Sequence, residues 1–570
     1  MAVFFNGQRL VTPTTASAVN DDAMQSQNLT VGNALAIVGK SSGGKPKTAL
    51  AFGSPEQARQ VLRSGELLDA VMAAFDPSDD TGAPSTVYAV RVNPAVQAKL
   101  DLKDSASKTV ISLTSANYGL ADNQIKVKVE NGTLSGKKLS VSHGNTYLYG
   151  DNIGRAAFSI QYTGAEATAK LTVAADKVTL TAGATAAVEI ALADFSTVSA
   201  LVDKINSIGG YTAAVLERSD NAGTLNGLDF VADQDVKTAV YNARADLQAI
   251  IDWFNANAFE LVTAKRADAA GTLPANRPYT FLTGGSDGNT ITTDWYDALV
   301  ALQSKDVQWV AATTGDAAVH ALVDTHVDFA SGTLRRERRA ILGTALGTTD
   351  AQALDAAKSL NSKRTSLVHI GHYKYALSGK LELRPAYMTA ALIAAGFAGS
   401  NPGTPLTNKS LKVQGLERDL LNPTDTDELL LGGVLPVENT DTGYKVTQSI
   451  TTWLGDQKYN NREQSCGAAL DFTVRNVREA LDVLRGTKSN PILLSRAIST
   501  TKTTLTELAR EEPQGPGVLA GDAASPAFRN IAASIEGDVL RVQFECSPVI
   551  PNNYILVTVY AKPYSGSATA

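Results

Sequence analysis

The sequence predicts an α/β protein: an open sheet with flanking helices, joined to an α+β carboxyl-terminal domain, interrupted by an inserted all-β domain, and carrying extended terminal arms. Three observations predict it. Short apolar runs alternate with helix-spaced segments over 34–93 and again over 236–400, the pattern of a parallel sheet with crossover helices. Between them, over 94–235, the chain shifts to Thr, Val, Ser, Gly and Ala in short alternating runs. Its 570 residues, 44% apolar and 19% charged, are ordinary globular usage and, at roughly 150 residues per domain, imply three or four domains.

Residues 1–33 read as an arm, with Asn6-Gly7 as a two-residue hairpin turn between AVFF and QRLVT. The start lacks a basic segment followed by a long apolar one, so no secretory signal is read and the chain is expected to stay where it is made. LAIVG from residue 35 is a strand, SPEQARQVL a helix with Ser54 at the N-cap and Pro55 at the first helical position, and TVYAVRV a second strand. In the 94–235 insert, IKVKVE, KLSVS, FSIQYT and KLTVAADKVTLTA are strands, and TVSALVDKINS is the one helical stretch.

Tyr241–Lys265 restores helical spacing, with Leu247, Ile250, Ile251 and Phe254 on one side. TFLTG, VQWVAAT, RRAILGTAL and SLVHIGHY follow as strands of the open sheet, with helices near 293–304, 316–330 and 350–360. AYMTAALIAAGFAG over 386–399 is too short to span a bilayer, for which about 20 residues are needed, and reads as a buried helix. In the domain at 401–550, ELLLGGVLPVENTDTGYKVTQSITTW reads as two or three strands before a helix near 462–486. There Leu470, Val474, Val477, Leu481 and Leu484 make one apolar stripe, with Arg475, Arg478 and Arg485 off it. Residues 551–570 form a terminal strand and arm, with Tyr554–Tyr560 (YILVTVY) strongly β-prone.

A net charge of −6 gives no general footprint for nucleic acid or anionic membrane. Cys466 and Cys546, with no Cys-x-x-Cys pair, exclude a disulfide framework and a zinc ribbon. Gly39-Lys-Ser-Ser-Gly-Gly-Lys45 has phosphate-loop spacing, but Pro46 stands where a magnesium-binding hydroxyl is required. Gly284-Gly285-Ser286-Asp287-Gly288, with Asp324 and His369 downstream, has the order of an α/β serine hydrolase, yet GNTITTD separates Ser286 from the next helix. His369-Ile-Gly-His372 has too few acidic or histidine partners to hold a metal. Arg335-Arg336-Glu337-Arg338-Arg339 reads as a solvated or ion-paired face, with an acidic protein partner as the alternative. No catalytic, cofactor or metal site is expected.

Four segments together resemble one family, the tail sheath proteins of contractile-tailed bacteriophages and related contractile injection particles. They are ALAIVGKSSGGKPKTALAFGSPEQARQVL, FLTGGSDGNTITTDWYDALVALQSKDVQWVAAT with its extra Ser286, RRAILGTALGTTDAQALDAAKSLNSKRTSLVHI, and DELLLGGVLPVENTDTGYKVTQSITTW with the following Arg-bearing helix. They cover about 34–92 and 236–560; the insert is unmatched. The resemblance implies a structural polymer of the virion, assembled in the host cytoplasm as a helical tube around an inner tail tube. It contacts baseplate and tail terminator proteins and contracts to deliver the genome, with no direct nucleic acid or membrane partner; the sheath of a phage-derived injection particle is the near alternative. It also implies β-augmentation between subunits, expected here from Val3, Phe4, Phe5, Leu10 and Val11 at one end and Tyr554, Leu556, Val557 and Val559 at the other. Arg475, Arg478 and Arg485 are expected to face the tube, and the insert to lie outside it.

Overall fold

The computed structural model describes residues 3–5, 8–10, 34–564 and 566, apart from 218, 221, 226, 268–270 and 377. The chain divides into two units. One holds 1–37, 73–88 and 302–570; the other holds 38–72 and 89–301.

In the first unit, runs of apolar residues become the interior of a parallel sheet. Trp309–Ala312, Arg339–Gly343 and Thr365–Val368 pair in parallel, and Val434–Leu435 extends them beyond Thr365–Val368. Ala34–Gly39 lies beside Trp309–Ala312, followed by Thr86–Arg91. Every residue of Trp309–Ala312, Arg339–Gly343 and Thr365–Val368 is buried, which requires cover on both faces and explains why these runs do not alternate. Helices Ala317–Gly332, Asp350–Leu360 and Ala386–Ala398 pack on them. Thr349 and Gln352 close a reciprocal capping box on the second. All thirteen residues of Ala386–Ala398 are buried, as its all-round apolar sequence requires. Phe397 stacks on Trp309 at 4.4 Å, and Gly343 allows the approach, since a Cβ there would sit 2.3 Å from the Ala386 carbonyl oxygen.

The carboxyl-terminal part differs from the sequence reading in three places. ELLL is the end of a helix, Thr424–Leu431, and only Val434–Leu435 and the hairpin Val437–Thr440/Gly443–Val446 are strands. The helix Gln464–Asp482 buries Cys466, Ala469, Phe472, Thr473, Asn476 and Val477, while Val474 is half exposed. Of the expected stripe, Val477, Leu481 and Leu484 do pack in the apolar clusters of this end of the chain, while toward its amino end the helix buries small and polar residues instead. A second helix, Pro491–Leu508, was not foreseen, although Asn490 accepting from the Leu493 amide and Pro491 behind it form an N-cap signal. Its Thr-rich interior hid the periodicity.

The second unit is mainly β and contains two apolar clusters. One is built from 157–245 and includes the expected helix, Val198–Asn206. The other joins 98–141 to 247–282. This corrects the assignment of TFLTG to the open sheet: Arg277–Phe281 pairs antiparallel with Lys126–Asn131, and Val262–Arg266 pairs with Thr109–Ser115. Helix Asp246–Asn257 buries Leu247, Ile250, Ile251 and Phe254 in the same cluster. Periodicity gives the element and its buried side but not the partner strand, so chain order could not reveal that 241–283 completes the β-rich body.

Candidate assembly interface

The last ordered pair of strands, Phe528–Glu536 and Val539–Cys546, forms a sheet of two strands only. Burial alternates along both: Ile531, Ala533, Ile535, Leu540, Val542 and Phe544 turn toward helices Gln464–Asp482 and Pro491–Leu508, and the residues between them face solvent. Neither outer edge has a strand neighbour among the described residues. Such a ribbon is marginal in water and offers two rows of unpaired backbone groups. A groove lined by Val474, Leu481, Arg478, Arg485, Leu540, Val542 and Phe544 lies between the ribbon and helix Gln464–Asp482.

Beyond the ribbon the chain is held by the Val549 amide on the Val518 carbonyl and then at Asn553, whose side-chain Nδ2 donates to Glu463 Oε1 at 2.8 Å and whose Oδ1 accepts from Thr407 Oγ1 at 3.2 Å. Glu463 is buried, which raises its pKa. From Tyr554 onward nothing covers the tail: Leu556 is 94% exposed, and Tyr554, Ile555, Val557, Val559 and Tyr560 lie between 77% and 85%. This expected exchange segment has no strand partner among the described residues. At the other end, Val3–Phe5 pairs with Gln8–Leu10, Val3 opposite Leu10. That is the expected hairpin; Val11 lies outside the described residues.

The RRERR run proves to be an internal fastening. Arg338 is buried, and its guanidinium donates to the Leu302 and Lys305 carbonyls at 3.2 and 3.0 Å and to His326 Nε2 at 2.9 Å. Burial lowers Arg338 to about 10, and burial beside that cation lowers His326 to about 3, leaving it a neutral acceptor. Arg339 and Arg364 converge on Asp471 of helix Gln464–Asp482 at 2.8 Å each. Glu337 accepts twice from Arg478, at 2.7 and 2.6 Å. The ion-paired reading is therefore the right one, but the pairs are buried and within the chain; only Arg335 and part of Arg336 remain accessible.

Of the three arginines expected to face the tube, two are engaged within the chain. Arg475 is buried and paired with Asp306. Arg478 is half-buried on Glu337, and Arg485 alone projects freely, held only by Asp482 one turn away.

The motifs of tempting chemistry have structural work. The amides of Ser41, Ser42, Gly43 and Gly44 donate to Asn93 Oδ1, Ser64 O, Leu62 O and Asn117 Oδ1, so the loop's donors are spent inside the chain. Buried Arg91 holds that loop through the Gly44 carbonyl and reaches Asp287 at 2.9 Å. Asp287 thus serves as the partner of an internal cation, and Ser286 exchanges backbone hydrogen bonds with Val96. Asp324 accepts from Thr365 Oγ1 at 2.6 Å, and His369 Nε2 faces Asp350 Oδ1 at 2.6 Å, so the carboxylate partner of His369 is Asp350 and not Asp324. His372 is buried against Thr389 and lowered to about 3 by desolvation. Cys466, buried, is pushed up to about 11. Among the described residues there is no cluster of three metal-ligating side chains and no helix long and apolar enough to cross a membrane.

The described architecture is a parallel sheet with buried helices, a β-rich second body and a carboxyl-terminal ribbon with no strand on either outer edge among the described residues. Residues 288–452 match the family described as the phage tail sheath protein central domain. The chain is 28% identical to the tail sheath protein of Bacillus phage SP01 over all of this chain and 98% of that one. It is 25% identical to the tail sheath protein of Staphylococcus phage Twort over 82% and 83% of the two chains. Its fold is that of a sheath tail protein from Listeria innocua, with a TM-score of 0.56 at 13% identity over 92% and 93% of the chains. By sequence along its whole length, this chain is similar to phage tail sheath proteins, and a structural role in a contractile sheath is the function these similarities support.

Proposed function

We propose that this chain is the subunit of a contractile tail sheath: it polymerises as a helical tube around an inner tail tube and shortens on a baseplate signal to drive that tube through the host envelope. It works in the virion after assembly in the host cytoplasm, capped by a terminator protein, without catalysis. The single observation that carries the reading is the pairing of surplus with deficit. Among the described residues the ribbon 528–546 has no strand on either outer edge, and the apolar strand-former Tyr554–Tyr560 of the same chain is exposed and unpaired. A chain that cannot satisfy its own edge satisfies a neighbour's. Repeated head to tail, that exchange builds an open filament.

In this arrangement Val3–Leu10 of one neighbour and Tyr554–Val559 of another add to the ribbon's two edges, so each copy is tied to at least two others. Domain 401–550 lies toward the tube with Arg485 outermost, and the insert lies on the outside. Deleting residues 1–25 tests the exchange: the truncated chain is expected to remain a soluble, cooperatively folded monomer that forms no tubes. Tubes of normal length from the truncated protein would refute it.

A further inference from the structure

Two fixed points hold the chain between the ribbon and the exposed run Tyr554–Tyr560. At the first, 547–549 lies along 518–520: the Ala520 amide donates to the Ser547 carbonyl at 2.9 Å and the Val549 amide to the Val518 carbonyl at 3.0 Å. At the second, the Asn553 side chain sits between Glu463 and Thr407. Among the described residues, none of Ile550, Pro551 and Asn552 between them is hydrogen-bonded to the body, and Ile550 is 52% exposed.

The two points differ in kind. The first is backbone pairing along a folded segment, whereas the second is one side chain on a poorly satisfied partner. Glu463 is 1% exposed; its Oε1 accepts from both Gln448 and Asn553, while its Oε2, also buried, meets no donor. A carboxylate with one oxygen unpaired keeps part of its desolvation penalty. Beside this seat runs a groove of about 510 Å³ lined by Leu431, Tyr459, Glu463, Asn553 and Tyr554. When Asn553 leaves, water from that groove takes its place and hydrates Glu463, so part of the lost bonding is recovered. The body side of the seat is rigid by contrast. Glu463 leads directly into helix Gln464–Asp482, whose Asp471 is bound by Arg339 and Arg364 of the parallel sheet.

We infer that Asn553 is a releasable latch that gives the exchange arm two working lengths. Seated, the arm springs from Asn553; released, it springs from Val549, and four more residues at about 3.3 Å each add up to about 13 Å of reach. The device rests on the sheath reading. An arm built into a neighbour must stay paired while the copies shift during shortening, and a joint that yields between two fixed points permits this without unpairing the exchanged strand. The single side chain at 553 yields before the backbone pairing at 547–549 or the ladder of an added strand.

The test compares the full-length wild type with Asn553→Ala and with Asn553→Asp, which sets a second carboxylate against Glu463. Sheaths are assembled on inner tubes, urea is raised stepwise, and contracted sheaths are counted over time by electron microscopy; thermal melts of the unassembled chains control for folding. Because the seated latch must break during shortening, both variants are expected to contract at lower urea, and at least about tenfold faster at a fixed urea concentration, the net worth of one hydrogen bond. Extended sheaths should still form at the wild-type protein concentration and the melts should coincide. Unshifted contraction in both variants, no extended sheath from either, or a fall in melting temperature that accounts for the shift would overturn the latch alone. A wild-type chain that formed no sheath would refute the proposed function, and the latch with it.

Discussion

Replacing Ile555 and Val557 by aspartate tests strand exchange without touching the folded monomer. In an added strand, residues 555, 557 and 559 share one face, the uniformly β-branched one, which would turn with Leu540, Val542 and Phe544 toward the helices. In the free chain Ile555 and Val557 are both 79% exposed, so the substitutions remove almost no existing contact, and monomer stability should move by no more than about 0.5 kcal/mol. On assembly each side chain would pass from water into a packed layer, worth about 2 kcal/mol. Losing two removes about 4 kcal/mol per subunit contact, about a thousandfold in the association constant, before any cost of burying carboxylates is added. Sedimentation across a protein dilution series gives the critical concentration for polymer, and denaturant unfolding below it gives monomer stability. Variant polymer at wild-type concentrations, or a monomer destabilised by more than about 1 kcal/mol, would refute the argument that this segment is unpartnered until it meets a neighbour.

Asp471→Ala should destabilise the fold by about 3–5 kcal/mol, since it strands the buried guanidiniums of Arg339 and Arg364; denaturant midpoints measure it. Arg485→Glu, at an exposed position paired only with Asp482, should leave that midpoint unchanged within about 0.5 kcal/mol while altering the salt dependence of sheath-on-tube assembly. His326, neutral when folded with a pKa of about 3, binds a proton near 6.5 when unfolded. Between those values the unfolded chain holds more protons, so stability present above pH 6.5 is lost as pH falls toward 3. His326→Gln, which keeps an acceptor for Arg338, should flatten the slope of melting temperature against pH across that window; parallel curves would refute it.

Much of the candidate site was legible because it depends on local pattern. The Asn-Gly hairpin, the β-prone run at 554–560 and the two helices alternating with strands between 309 and 368 all follow from turn chemistry and period. The partners of the arginines were not legible, for the opposite reason. Arg475 and Arg338 are charged, and charge read along a sequence suggests solvent; only the fold brings Asp306 to one and the neutral imidazole of His326 to the other. Likewise nothing in ASPAFRNIAASIEG announces a strand until it is set against 539–546.

What the sequence by itself determined is the alternation of strands and helices over 309–368, the apolar side of Asp246–Asn257, and that the two chain ends hold strand-formers without a core of their own. These rest on backbone sterics and burial, which act between near neighbours. What only the tertiary structure decided is partnership. It gave Arg277–Phe281 to the β-rich body, buried small and polar residues at the amino end of the Gln464–Asp482 helix, folded most of the arginine run inward, and left Phe528–Glu536 and Val539–Cys546 as a ribbon with no strand on either edge among the described residues. Hydrogen-bonded pairing and ion pairing join groups hundreds of residues apart, and their free energy is set by geometry and desolvation that no local spacing encodes.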